Sequence, residues 1–241
     1  MKTRTSATSP LIIARLAGFL YLIIIVIGFC GQFFVRDRLV ASGDVTATAN
    51  NIMASESLWR IGIAGDLIMR VCDVALMLVF YILLRPVNKN LALLAVLFNL
   101  IQTAVLAAFE LSLLVVLFLL GSADYLKAFE PHQLQALSYL SVKSYEYGFG
   151  IGLIFFGFVC LIQGYLLFRS GYFPRTLGVL MAIAGLSYLM NSFTLILAPT
   201  YAATIFPILV LALVGELSLS LWLLVKGVRV EEWKKRAAES A

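Results

Sequence analysis

The sequence predicts an all-α polytopic membrane protein: six transmembrane helices with two short external amphipathic helices, in one integral-membrane domain over residues 1–241. Three observations predict it. Hydrophobic residues make up 62% of the chain and charged residues 13%, against roughly half and a quarter in soluble domains, and the mean hydropathy is +0.99. Apolar runs recur at 11–35, 60–84, 91–120, 147–168, 176–197 and 207–226, each close to or above the ~20 residues that cross hydrocarbon. The segments between them alternate in charge, as the loops of a threaded membrane protein do.

The run Leu11 to Val35 is too long for the apolar core of a secretory signal, and no A-x-A-like site follows it. Cys30 follows the bulky Phe29, which argues against lipoprotein processing, so the run reads as a retained first span. In 36–59, Ser42 and Asp44 are N-cap residues for a first external helix reaching Ser57. The second span then carries three charges, Asp66, Arg70 and Asp73, at i, i+4 and i+7, which places them on one helix face. RPVNKN at 85–90 turns the chain into the third span. In 121–146, Glu130-Pro131 opens a second external helix with Pro at its first position and Leu134, Leu137 and Leu140 beneath. Span, external helix and span thus occur twice, the pattern of a parallel duplication.

Spans four and five share a repeat of small residues. Gly150, Gly157 and Gly164 recur every seven residues, as do Gly178, Gly185 and Ser192. Such a stripe is a seam for close helix approach. Antiparallel pairing through RSGYFPR at 169–175 predicts Gly164 near Gly178, Gly157 near Gly185 and Gly150 near Ser192.

Charge asymmetry sets the expected topology. Lys2, Arg4, Arg15, Arg85, Lys89, Arg169, Arg175, Lys226, Arg229, Lys234, Lys235 and Arg236 fall on one side. Only Arg36, Arg38, Lys127 and Lys143 fall on the other, among six acids. The positive-inside rule puts both termini in the cytoplasm of a prokaryotic cell. The net charge of +5 belongs to helix ends and does not point to nucleic acid. The partners expected are the lipid bilayer and a small ligand or partner protein.

Ionisable side chains inside a membrane are costly and read as functional by default. At 1.5 Å per residue, Asp66 lies roughly 9 Å below the external end of its span, Asp73 roughly 20 Å, Glu110 about 15 Å, Glu216 roughly 14 Å and Asn191 about 9 Å. These residues and Arg70 form the predicted ligand-binding set. Arg70 stands where it can pair with Asp66 or Asp73. Asn99, Gln102 and Gln163 add neutral polarity to the same spans.

Several chemistries find no support. Cys30, Cys72 and Cys160 all fall within spans and read as small buried apolar residues, and the single His132 lies in a loop, so neither a metal nor a cofactor is expected. GIAGD at 62–66 is not the GxGD pattern of intramembrane aspartyl proteases, and G-x-S-x-G and H-E-x-x-H are missing from the sequence. No catalytic residue is assigned.

The matching stretches ARLAGFLY at 14–21, AGDL at 64–67, CDVAL at 72–76, LLRPV at 83–87, YGFGIGLIFFG at 147–157 and GYLL at 164–167 running to Arg175 carry a family likeness. Through them the chain resembles a prokaryotic membrane family called domain of unknown function 4386. The resemblance implies a polytopic membrane protein and supplies no reaction, ligand or partner. The family tends to carry Asp where this chain has Asn191, which implies one acid fewer near the external mouth.

Three functions fit these readings. The leading one is a binding or transport protein for a small or cationic ligand at an externally open polar site. The second is a non-catalytic accessory protein whose buried charges are structural staples. The third is an intramembrane enzyme using carboxylates on two helices.

Overall fold

A computed structural model describes residues 9–240; Lys2 and Arg4 lie outside the described residues. Among the described residues six helices are long and apolar enough to cross a membrane, and the fold is all-α. The first, α1, runs Pro10–Leu39. It is α-helical to Cys30, π-helical over Gly31–Arg36, and α-helical again from Asp37. A short α2, Val45–Ala54, leads into α3, Glu56–Leu84. Then follow α4, Lys89–Leu119, α5, Pro131–Ser170, α6, Arg175–Leu197, α7, Leu209–Val225, and α8, Val230–Glu239. Short helical turns over 199–208, which include Phe206, lead into α7 and extend the sixth span to Pro199–Val225.

Two start signals read from the sequence act as expected. Asp44 caps α2, its Oδ1 accepting from the Ala47 amide at 2.8 Å. Glu130 and Gln133 form a reciprocal capping box with Pro131 at the first helical position. The second external helix, however, is not a separate element. It is the opening of α5, whose 40 residues continue without a break into the fourth span. No proline interrupts 132–170, and Gly148 and Gly150 are tolerated because they seat neighbouring side chains. The expected duplication of span, helix and span is therefore broken in its second copy.

The six long helices form a closed ring. Each packs on its successor (α1 on α3, α3 on α4, α4 on α5, α5 on α6, α6 on α7) and α7 returns to α1. The α5–α6 seam follows the small-residue stripe. A Cβ on Gly164 would lie 2.7 Å from the Gly178 carbonyl oxygen, and one on Gly185 2.6 Å from that of Gly157. The third expected pair differs, since Gly150 faces the Leu195 side chain instead of Ser192. The cysteines differ in burial, against the expectation that all three are buried: Cys160 is buried, Cys72 half-buried and Cys30 exposed.

The two ends of the ring are built differently. Where α1 begins and α7 ends, Phe80, Leu83, Leu166, Leu167, Leu219 and Leu223 close the core. Tyr172 Oη and Trp233 Nε1 both donate to the Leu83 carbonyl, at 2.7 and 3.1 Å, and fasten α8 across this terminal end. At the opposite, capped end, α2 lies against α5. The Gly43 amide donates to Tyr139 Oη at 2.9 Å, and Trp59 Nε1 donates to the Leu113 carbonyl at 3.0 Å.

Candidate functional site: a polar cavity inside the helix ring

All six long helices contribute to a cavity of about 290 Å³ at the centre of the ring. Its wall is mainly apolar, with Arg36, Arg70, Asp73, Gln102, Gln163 and Glu216 as its polar side chains, alongside Gln32 and the phenols of Tyr21 and Tyr188. A second space of about 320 Å³ lies toward the capped end. The two share Gln32, Arg36, Phe149 and Phe206, which form the neck between them.

The charge pairing differs from the sequence expectation. Arg70 bonds neither Asp66 nor Asp73, although all three share one face of α3. Asp66 pairs with Arg36, whose Nη1 donates to Asp66 Oδ2 at 2.6 Å. Arg70 faces Glu110, with Nη2 and Oε1 3.8 Å apart. Asp73 is held by neutral donors: Asn99 Nδ2 reaches its two oxygens at 3.3 and 3.1 Å, and Thr103 Oγ1 donates at 2.8 Å. The cause is the ring. Partners from α1 on one flank and α4 on the other reach the α3 face better than residues on α3 itself can reach one another.

Arg36 is the residue that sequence reasoning placed elsewhere. Its position after the first apolar run places it with the basic residues outside the membrane, yet its side chain is only 15% exposed. The π-helical turn carries it inward. Gly31 leaves room for the pair, since a Cβ there would lie 3.1 Å from Arg36 Nη2 and 3.6 Å from Asp66 Oδ1. π-bulges of this kind recur at functional positions. Gln32 accepts from Arg36 Nε at 3.1 Å, and the Arg36 guanidinium stands over the Tyr145 ring at 5.6 Å. Tyr145, Tyr188, Tyr21 and Thr103 were likewise missed, because in-span tyrosines and threonines look like ordinary core residues.

The six predicted residues divide into three groups. Asp66 and Glu110 are 1% and 2% exposed, do not line the cavity, and sit behind the arginines that do. Arg70, Asp73 and Glu216 face the cavity. Glu216 is 8% exposed, and its Oε1 accepts from Tyr188 Oη at 2.8 Å. Asn191 is half-buried and lines neither space.

Each arginine thus has its own carboxylate outside the cavity wall. Asp73 and Glu216 face the cavity with no ion pair of their own among the described residues. This arrangement favours positive charge in the space between them.

The family match spans residues 16–227, from early in α1 to the turn after α7, and contains every residue of this site. The chain belongs to DUF4386, described as Domain of unknown function. Membership agrees with the resemblance read from the motifs. A further relative is an uncharacterized protein of Archaeoglobus fulgidus, 29% identical over 172 residues, covering 70% of this DUF4386 chain and 86% of the relative. No solved structure matches.

Proposed function

We propose that this DUF4386 protein binds, as a receptor or transporter, a small ligand carrying a cationic group within the helix ring, and that the ligand arrives from the external face. The observation that carries the reading is that Asp73 and Glu216 stand on the cavity wall without an ion pair of their own, while Arg36 is bonded to Asp66 and Arg70 stands 3.8 Å from Glu110. The neck at Arg36 and Gln32 leads toward the capped end, while the apolar layer beneath Tyr21 and Phe80 closes the terminal end. On the positive-inside reading the termini are cytoplasmic and the capped end is external, in the cytoplasmic membrane of a prokaryote. A site reached from one side and sealed on the other is one half of an alternating-access cycle.

The test uses the full chain in dodecyl maltoside with radiolabelled tetramethylammonium as the probe. Saturable binding is expected, weakened at least tenfold by Glu216→Gln and by Asp73→Asn. If both variants lose stability but bind the probe as the wild type does, the carboxylates are structural staples and the reading falls.

A further inference from the structure

The cavity has a side opening as well as a neck. At the terminal end α1 and α7 touch backbone to backbone. A Cβ on Gly18 would lie 2.7 Å from the Leu224 amide nitrogen, and Ser220 Oγ donates to the Gly18 carbonyl at 3.0 Å. Following the same helix faces toward the capped end leads to Ile25 and Phe29 on α1, and to Glu216, Leu213 and Leu209 on α7. All five line the cavity. Three cavity-lining residues are also exposed on the outer surface: Phe29 at 48%, Leu213 at 38% and Phe206 at 56%. Phe29 and Leu213 flank this seam and Phe206 lies on the helical turn leading into α7, whereas the cavity-lining residues of α3, α4, α5 and α6 are buried or half-buried. Between α1 and α7 the cavity wall therefore reaches the outer surface of the ring.

The inner end of the opening is chemically different from its rim. Glu216 lies one turn along α7 from Leu213, accepts from Tyr188 Oη at Oε1, and has the Tyr21 phenol as a second partner. The Tyr188 and Phe156 rings stand 5.2 Å apart, and Tyr21 packs edge-on to Phe80 at 6.1 Å. Carboxylates set among aromatic faces recognise organic ammonium groups through ion pairing and cation–π attraction. A compact, strongly hydrated metal ion gains little from such rings.

We infer that the ligand is a membrane-partitioned amphiphile, with an organic ammonium head held by Glu216, Asp73 and the Tyr21 and Tyr188 rings, and an apolar tail leaving between Phe29 and Leu213 into the bilayer. This deepens the cationic-ligand reading and rests on it. It adds the chemical class of the ligand and a lateral route beside the external neck.

The experiment measures displacement of radiolabelled tetramethylammonium from the full chain in dodecyl maltoside. The competitors are dodecyltrimethylammonium, unlabelled tetramethylammonium and dodecyl sulfate, each below its own micelle-forming concentration. Dodecyltrimethylammonium is expected to compete at least tenfold more tightly than tetramethylammonium, and dodecyl sulfate not to compete. Leu213→Trp, which fills the seam, is expected to weaken the long-chain competitor at least fivefold more than it weakens tetramethylammonium. The wild-type comparison alone decides the matter if that variant does not fold. Equal potency of the two ammonium probes overturns the amphiphile inference and leaves the cationic site standing. Competition by dodecyl sulfate at the potency of the ammonium amphiphile overturns the choice of head group. Failure of tetramethylammonium to bind at all removes the reading on which both depend.

Discussion

Asp66 and Arg36 pair at 2.6 Å across thirty residues of sequence, and that bond decides how the other charges in the ring are matched. With Asp66 committed to α1, Arg70 is left to Glu110 on α4. Asp73 is left to neutral donors, and Glu216 to a phenol. The buried charges are thus sorted into an outer set that holds helices together and an inner set that faces the cavity. On the proposed function, staple and site, two rival readings of the sequence, become a division of labour between residues.

The first prediction concerns the outer set. Removing one partner of a buried ion pair strands the other charge and costs about 3–5 kcal/mol, whereas removing both costs much less. Asp66→Asn and Arg36→Gln singly are each expected to lower stability by about that amount, and the double variant to recover more than half of it. Thermal unfolding of the four proteins in dodecyl maltoside checks this. Additive losses in the double variant contradict the pairing.

The second prediction concerns Gly31. An added methyl would meet the far end of the Arg36 side chain at 3.1 Å, with Asp66 Oδ1 at an ordinary 3.6 Å, so Gly31→Ala is expected to cost under about 1 kcal/mol. Gly31→Val adds bulk where the guanidinium lies and forces it off Asp66, at about 1–3 kcal/mol for overpacking alone. The effect of Gly31→Val should shrink when Arg36→Gln is already present. Equal effects in both backgrounds would disconnect Gly31 from the pair.

The third prediction concerns the α5–α6 seam. At Gly164 a Cβ would lie 2.7 Å from the Gly178 carbonyl oxygen and 2.8 Å from the Ala182 backbone nitrogen, with no flexible side chain to yield. Gly164→Ala is expected to destabilise by about 1–3 kcal/mol, and Gly171→Ala to act differently. Gly171 has open space around it but a φ of +79°, so its cost is backbone strain of about 1–2 kcal/mol. Unfolding of the two single variants and their double checks this. The sites lie seven residues apart and share no partner, so their effects should add.

Much of this fold was legible in the sequence, because the signals that carried it are local. A 25-residue apolar run, a heptad of glycines, an Asp before a helix and a Glu-Pro start each act within a few turns and each begins or pairs the helix expected of it, except that Gly150 meets Leu195 and the helix begun at Glu130-Pro131 runs on into the fourth span. The site was only half legible. Depth along a helix follows from residue count, so Asp73, Arg70 and Glu216 could be placed at one level. Which acid takes which arginine depends on the order of helices around the ring, and nothing in the i, i+4 spacing of Asp66 and Arg70 encodes that. Arg36 was hidden for a related reason. A basic residue directly after an apolar run ordinarily marks the membrane surface, and only the π turn over Gly31–Arg36 brings it inside. Asn191 erred in the opposite direction: its depth was suitable, but its side of α6 does not face the cavity.

The last prediction concerns the closed terminal end. Tyr172 and Trp233 share the Leu83 carbonyl, which gives that one acceptor two donors and ties α8 to the end of α3. Burial pushes the Tyr172 phenol above its ordinary value. A phenol whose folded pKa is raised keeps its stabilising bond fully below the unfolded value of about 10, and stability falls as pH rises beyond that value, because the unfolded chain ionises first. Tyr172→Phe is therefore expected to cost about 1 kcal/mol at neutral pH and to flatten the loss of stability between about pH 10 and 11. Trp233→Phe is expected to cost a similar amount at neutral pH, since it also removes one donor to Leu83, but to leave the alkaline slope unchanged. It should also increase cleavage by trypsin at Lys234 and Lys235, because α8 has no buried residue of its own to hold it in place. Unfolding across that pH range together with limited proteolysis separates the two variants. An alkaline slope as steep in Tyr172→Phe as in the wild type would assign it to other groups.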